Sequence, residues 1–161
     1  MLDTEALTGN ETYFENFTVG DVMKHARGKT VEPLENVLFT NLTMNTAAAH
    51  FDEATMASAP FGQRVVYGGV TASLMIGLAS QDTSENGLSE LSMTGLRFRS
   101  PVFHGDTVYA FTQVLAVEGS DREDAGIVTF HHWGVNQKDV VVCECQRRVL
   151  IKRHSHWGKR R

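Results

Sequence analysis

The sequence predicts an α+β protein in which a curved antiparallel sheet wraps around one long central helix. Residues 65–81 contain no Asp, Glu, Lys or Arg, and a helix that is apolar or small on every side belongs in a core. From Leu91 onward the chain is rich in Val, Thr, Tyr and Phe, in segments separated by polar turns, which is typical of antiparallel strands. A buried helix followed by a run of strands predicts this fold class.

The segments before the central helix predict a strand and two shorter helices. We expect residues 1–12 to form a flexible arm, and residues 28–31 to be extended up to the stop at Pro33. A short helix is predicted over residues 54–59, ending at Pro60. Before it, a helical spacing of apolar residues predicts a further helix, marked by Leu34, Val37, Leu38 and Leu42.

The segments after the central helix predict a polar loop over residues 82–89 and then about four antiparallel strands. These strands begin near Leu91 and continue as residues 107–117, 127–135 and 140–151. On one face of the last strand lie the apolar residues Val141, Cys143, Cys145, Val149 and Ile151. Arg147 interrupts this row, so we expect a charge on the packed face near an interface or a site.

The length and composition favour one domain, which we place at residues 13–152. The 161 residues are too few for two comfortable domains, and the formal net charge of −4 excludes a general nucleic-acid footprint. The central helix is too short and too rich in Gly, Thr and Ser for a membrane span. Residues 153–161 form a basic tail, for which a frayed terminus is favoured over contact with an anionic ligand or a neighbouring subunit.

The N-terminal sequence and the predicted sheet give two further expectations. The chain opens with acidic and polar residues and no secretory signal, so we expect a cytoplasmic protein. An open sheet leaves an edge strand, and pairing with a second copy removes that liability. We therefore expect a homodimer, or a dimer of such dimers.

The two cysteines do not indicate a metal site. Cys143 and Cys145 lie two residues apart in a strand, where an extended backbone disfavours a disulfide between them. Two thiols are also fewer than the four ligands of a structural zinc site. We interpret them as small buried apolar side chains.

Four stretches, taken in order, carry a resemblance to a known family. They are Tyr13-Phe14-Glu15 with Val19-Gly20-Asp21, Asn45 with His50-Phe51-Asp52, the helix from Tyr67-Gly68 to Gly77-Leu78, and Leu96-Arg97-Phe98 with Pro101-Val102-Phe103 and Gly105-Asp106-Thr107-Val108. Together they span about residues 13–150. The chain resembles the MaoC-like, or R-specific enoyl-CoA hydratase, family. The resemblance implies the hot dog fold and a hydro-lyase that reversibly adds water to a 2-enoyl-CoA-type thioester, giving a 3-hydroxyacyl-CoA. It implies no cofactor beyond the CoA that the substrate carries, and a place in fatty acid metabolism.

The family's catalytic signature can be laid on this chain residue by residue. It implies that His50 is the catalytic histidine and Asp52 the acid that follows it. Asn45 stands where the family has its catalytic aspartate, and Ala47-Ala48 where it has Asn-Pro. Some members carry a serine on the central helix, where this chain has Ile76.

The remaining site residues follow from what hydration of a thioester requires. The carbonyl oxygen becomes enolate-like and needs donors, which the free N–H groups at a helix start supply. Gly68 and Gly69 fit this role, although close packing of the helix also explains them. We expect substrate contacts from Asp52, Tyr67 and Gly69, and from Arg97. Arg97 is one of the basic residues that are candidates for holding the CoA phosphates, together with Arg64, Arg99, Arg147 and Lys152. An imidazole at His50 suits acid–base work near neutral pH.

Asn45 leaves three interpretations open, because an amide can hold a water molecule but cannot take its proton. His50 is the sole acid and base, or Asp52 or Glu53 substitutes as the carboxylate, or the chain binds a CoA thioester without hydrating it. The last interpretation makes the chain a non-catalytic acyl-CoA-binding protein or an inactive subunit. Thioesterase action is less favoured, because the central stretch, residues 65–81, has no carboxylate.

Overall fold

A computed structural model describes residues 12–158, and almost all of the predicted arm lies outside them. Within residues 12–158, five strands form a single antiparallel sheet in the order β1-β3-β4-β5-β2. The strands are β1 (Val22–Thr30), β2 (Gly87–Phe98), β3 (Thr107–Gly119), β4 (Ala125–Asn136) and β5 (Val141–Lys152). Every neighbouring pair is antiparallel.

Among the described residues, the first four α-helices lie between β1 and β2 in the chain, and the last follows β5. They are α1 (Pro33–Leu42), α2 (Ala48–Phe51), α3 (Glu53–Met56), α4 (Gly68–Thr83) and α5 (His154–Trp157). The long helix α4 packs against β1, β3, β4 and β5, and Met75 and Ala79 on it are fully buried. This arrangement is the predicted α+β fold, a sheet wrapped around one central helix. No helix among residues 12–158 has the length and apolar character needed to cross a membrane.

In the described part of the chain, two apolar clusters make up the core, and a polar row lies between them. The first cluster follows α4 from Val70 to Ala79 and includes Met75, Ala110 and Cys145. The second includes Val114, Phe130 and Val149. Between them, on the same inner face of the sheet, lie the buried side chains of His25, Thr112, His132 and Arg147. The charge predicted on the packed face at Arg147 is therefore confirmed.

The polar row is held together by hydrogen bonds. His25 Nδ1 lies 2.6 Å from Asp82 Oδ2, and His25 Nε2 lies 2.7 Å from Thr112 Oγ1. Thr112 Oγ1 also lies 2.7 Å from Nδ1 of His132. Arg147 pairs with Glu90 through Nε and Nη2. The row thus runs across the core from the end of α4 to the edge strand β2.

Several predicted boundaries are wrong. The polar loop expected at residues 82–89 is shorter, a turn at residues 84–86 between the end of α4 and the start of β2, and β1 begins well before residue 28. The short helix expected at residues 54–59 is the single turn α3, which ends at Met56, and a further single turn, α2, precedes it. The tail is not frayed over residues 154–157, because Trp157 Nε1 donates to Asp124 at 3.1 Å and Lys152 lies over the indole ring.

β2 forms one edge of the sheet and exposes apolar side chains. Those with large exposed areas are Leu91, Met93, Leu96 and Phe98. Pairing across β5 places Met93 opposite Arg147 and Phe98 opposite Cys143, so these β2 side chains lie on the inner face. Because α4 packs chiefly on the other four strands, this face of β2 remains open.

Candidate active site

The segment that carries His50 is fastened to the segment that enters α4. Val65 N–H donates to the Ala49 carbonyl at 2.9 Å. In return, His50 Nδ1 lies 2.8 Å from the Val65 carbonyl oxygen. A carbonyl can only accept, so Nδ1 carries the proton of the neutral imidazole and Nε2 keeps a free lone pair. A histidine in this tautomer can act as a base through Nε2.

The side chain of Asn36 connects the same two segments through hydrogen bonds. Its side-chain Nδ2 donates to the His50 carbonyl at 2.9 Å, and its Oδ1 accepts from Tyr67 N–H at 2.9 Å. The side chain is fully buried. Tyr67 is the N-cap residue of α4, and its ring centroid lies 5.4 Å from that of His50. One buried amide therefore fixes the histidine beside the start of the central helix.

The start of α4 offers two backbone donors. Among the hydrogen bonds of the described residues, none uses the N–H of Gly68 or Gly69, whereas Val70 N–H already donates to Tyr67. A Cβ at Gly68 would lie 2.8 Å from the Phe98 ring, and one at Gly69 would lie 2.5 Å from the Tyr67 ring. The two glycines thus permit close packing. Their N–H groups also remain available as donors at the N-terminus of α4, which is the positive end of the helix dipole.

Asn45 and the nearby carboxylates have different hydrogen-bond partners. Asn45 is half-buried, and its Oδ1 accepts from Ala47 N–H at 3.3 Å, just before α2. Asp52 caps α3, because its two oxygens accept from the backbone N–H and the hydroxyl of Thr55. Both bonds lower the pKa of Asp52, the hydroxyl bond more. The structure therefore gives Asp52 a capping role and does not show it orienting His50.

Glu53 is also engaged elsewhere. Its Oε2 accepts from Nε of Arg64 at 2.6 Å, and this bond lowers the pKa of Glu53. A carboxylate held ionised by arginine is a poor proton acceptor near neutral pH. Of the three interpretations open for Asn45, substitution by Asp52 or Glu53 is therefore the least supported.

Arg97 is not brought to this site. It lies opposite Glu144 across the β2–β5 pair, and Glu144 alternates with the inward-facing Cys143 and Cys145. Side chains on adjacent strand positions point to opposite faces, so Arg97 lies on the outer face of the sheet, away from α4. This placement does not support the expected contact between Arg97 and the substrate.

A groove of about 670 Å³ lies on the other flank of α4, between that helix and β1. Arg27, Lys29, Leu74 and Leu78 line it, and neither His50 nor Gly68 does. We place the candidate site at His50 and not in this groove, because no histidine lines the groove and its carboxylate, Asp82, is already paired with His25. Among residues 12–158, no group of three or more His, Cys, Asp or Glu side chains could hold a metal ion.

Asn36 is the residue that sequence reasoning missed. Nothing local marks it, since both of its partners lie far along the chain. The one available signal is a polar residue inside a helix that precedes the histidine segment, and by itself this signal is weak.

A sheet wrapped around one buried helix, with a histidine fastened beside the helix start, is the architecture of the MaoC-like dehydratases with the hot dog fold. The chain belongs to the mesaconyl-CoA hydratase family within this class, whose signature matches residues 21–153. It is 37% identical over 133 residues to a mesaconyl-CoA hydratase from Haloarcula hispanica, covering 82% of this chain and 37% of that protein. The chain thus spans well under half the length of this relative.

Two shorter proteins match a larger share of their own length. An (R)-specific enoyl-CoA hydratase from Aeromonas caviae is 36% identical over 95 residues, covering 59% of this chain and 67% of that protein. The crystal structure of a MaoC-like dehydratase from Rhodospirillum rubrum superposes with a TM-score of 0.76 at 26% identity, over 88% of this chain and 97% of the other. The predicted family and fold are both confirmed.

Proposed function

We propose that this protein is a hydro-lyase that reversibly adds water to a 2-enoyl-CoA-type thioester to give a 3-hydroxyacyl-CoA. The observation that carries the proposal is the pairing of His50 with the start of α4, held through Asn36 and Val65. This geometry supplies an imidazole with a free Nε2 and backbone donors at one place. The named activities of the relatives, hydration of mesaconyl-CoA and of enoyl-CoA, support the same reaction class.

The proposed reaction assigns one task to each group. The N–H of Gly68 polarises the thioester carbonyl, aided by Gly69, and stabilises the charge that grows on its oxygen. His50 Nε2 takes a proton from a water molecule as the water oxygen bonds to the β-carbon. The same imidazolium then returns that proton to the α-carbon, on the same face, so the addition is syn. Asn45 orients the water molecule, and Tyr67 shapes the wall beside His50.

The test is hydration of a panel of enoyl-CoA thioesters by the wild type and by His50→Ala. Crotonyl-CoA, mesaconyl-CoA and a branched enoyl-CoA cover the main acyl classes. We expect turnover of at least one thioester, and a fall of about 10²–10⁴-fold in the variant, the size of a lost acid–base group. His131→Ala is the matched control, because this half-exposed histidine lies on the outer face of β4. An unchanged rate in His50→Ala would remove His50 from the mechanism.

A second candidate is a non-catalytic acyl-CoA-binding protein or an inactive subunit, which Asn45 and Ile76 favour. Binding of CoA thioesters with no turnover on the panel would support it. The exchange Asn45→Asp separates the two candidates. A large gain in hydration indicates a decayed catalytic site, whereas a loss indicates that the amide itself is used.

We also propose that the protein acts as a homodimer joined along β2. The open edge of this strand and its exposed side chains, Leu91 and Leu96 among them, favour pairing with a second copy. Light scattering at increasing concentration measures the mass directly. We expect a dimer that Leu96→Glu weakens, and a monomer at all concentrations would contradict this.

A further inference from the structure

Tyr67 has a hydroxyl group that the described part of the chain does not use. Among residues 12–158, the hydrogen bonds of Tyr67 all involve its backbone. Its N–H donates to Asn36, and its carbonyl oxygen accepts from Val70 and Thr71. The side chain is half-buried. Because a tyrosine hydroxyl usually has a hydrogen-bond partner where the ring is buried, this hydroxyl is free to bind a ligand.

The ring of Tyr67 is held in place by neighbours from three helices. Its centroid lies 5.4 Å from that of His50 in α2, with 46° between the two planes. It lies 6.1 Å from the centroid of Phe39 in α1. The third neighbour is Gly69 in α4. The direction of the hydroxyl is therefore largely fixed before any substrate binds, and a fixed donor needs no reorganisation during a reaction.

The contact with Gly69 places the hydroxyl end of the ring beside the free backbone donors of α4. A Cβ built on Gly69 would lie 2.5 Å from Cε1 of Tyr67 and 2.8 Å from Cζ, the atom that carries the hydroxyl. The far end of the ring thus lies over Gly69. A side chain at this position would displace the ring, so the glycine is what lets the ring lie there.

We propose that the Tyr67 hydroxyl is a third donor to the thioester oxygen, beside the N–H groups of Gly68 and Gly69. This proposal rests on the proposed function, because it places the thioester at the start of α4. The hydroxyl keeps its proton throughout the reaction. Its hydrogen bond strengthens as negative charge grows on the thioester oxygen, while His50 moves the protons.

A hydrogen bond from the hydroxyl to His50 fits the contacts less well. Such a bond would occupy the lone pair of Nε2, which the proposed reaction needs as the base. In this structure the one side-chain hydrogen bond of the His50 ring within residues 12–158 joins Nδ1 to the Val65 carbonyl. The hydroxyl end of the Tyr67 ring lies instead over Gly69, where the thioester carbonyl is placed.

Tyr67→Phe tests this proposal, because it keeps the ring and removes the hydroxyl alone. The hydroxyl has no partner among the described residues, so Tm should change by less than about 2 °C. We expect kcat for the thioester that the wild type hydrates to fall by about 10²-fold, the size of a lost oxyanion donor. KM should change by less than about threefold, because the bond gains strength chiefly in the transition state.

Tyr109→Phe is the matched control. Tyr109 is also half-buried, and its ring also lies against a glycine, since a Cβ at Gly28 would lie 2.5 Å from its Cε1. Tyr109 is in β3 and Gly28 in β1, and neither belongs to the candidate site. The control variant should keep the wild-type kcat and KM.

Infrared spectroscopy of bound butyryl-CoA, isotope-labelled at its thioester carbonyl, gives a second measurement that needs no turnover. Donors to the oxygen weaken the carbonyl bond and move its stretch to lower wavenumber. We expect this stretch to lie higher in Tyr67→Phe than in the wild type, and to be unchanged in Tyr109→Phe. If Tyr67→Phe does not fold, Gly69→Ala, which displaces the ring, should raise the stretch in the same way.

The outcomes separate this proposal from the one on which it rests. A fall in kcat smaller than about tenfold, a change confined to KM, or an unchanged carbonyl stretch overturns the role of Tyr67 and leaves the hydratase proposal standing. If the wild type hydrates no thioester, the hydratase proposal fails, and the carbonyl stretch alone decides whether Tyr67 donates. If butyryl-CoA does not bind, both proposals fail.

Discussion

Replacing Asn36 by alanine tests whether one buried amide aligns the candidate site. The substitution removes two hydrogen bonds of 2.9 Å, one to the His50 carbonyl and one from Tyr67 N–H. It also leaves that carbonyl and that N–H without their partner beside the fully buried position of Asn36. Each such loss costs about 1–3 kcal/mol, so we expect a total of about 2–6 kcal/mol. For a domain of this size, where each kcal/mol shifts Tm by about 2–4 °C, that lowers Tm by about 4–24 °C.

The activity of Asn36→Ala should fall further than its stability explains. Well below its Tm the variant is folded, but His50 and the start of α4 are no longer held at a fixed distance. We expect kcat for enoyl-CoA hydration to fall by about tenfold or more, since small displacements of catalytic groups are costly. Asn41→Ala is the control, because Asn41 lies on the same helix and is exposed. A variant with unchanged Tm and kcat would refute the bracing role of Asn36.

Three further predictions concern the core and its titrating groups. Leu38→Asn should change the free energy of unfolding by less than about 0.5 kcal/mol, because Leu38 is exposed. Thr40→Asn, at a fully buried position, should lower the free energy of unfolding by about 1–3 kcal/mol. Urea unfolding measures both variants, and equal effects would contradict the observed buried face of α1. Burial raises the pKa of Cys143 to about 12 and that of Cys145 to about 11, so iodoacetamide at neutral pH should label them only after unfolding. The low pKa of His132, about 3, against an ordinary value of 6.5, means that the unfolded chain binds the extra proton. Stability should therefore fall as the pH drops from 6.5 towards 3, and His132→Gln should flatten this slope in urea titrations.

The sequence predicted those parts of the fold that local patterns encode. An uncharged stretch identified α4, and alternation identified β3, β4 and β5 within a few residues. Arg147 stood out because it interrupted an apolar row in β5, and it does lie on the packed face. Such signals persist because neighbouring residues along one element share its burial pattern.

The face that α1 buries could not be predicted in this way. Apolar spacing correctly indicated a helix, yet Leu34, Leu38 and Leu42 are exposed while Asn36 and Thr40 are buried. The polar side chains lie inside because they satisfy backbone groups, as Asn36 does for His50 and Tyr67. Those partners lie far away in sequence, so no local pattern announces them.

The candidate site could be predicted only in part, for the same reason. His50 and Gly68 are brought together by contacts between distant segments, and only the family resemblance linked them beforehand. Asp52 caps α3, and the residues next to it in the sequence could not distinguish this role from a role beside His50. Arg97 lies on the outer face because strand register sets its direction, and a shift of one residue reverses a side chain.

The most direct test of the proposed reaction is a structure with butyryl-CoA bound. We predict that the thioester oxygen accepts from the N–H of Gly68 or Gly69, with the β-carbon on the side of His50 Nε2. A thioester bound instead in the groove between β1 and α4, out of reach of His50, would contradict the proposed reaction.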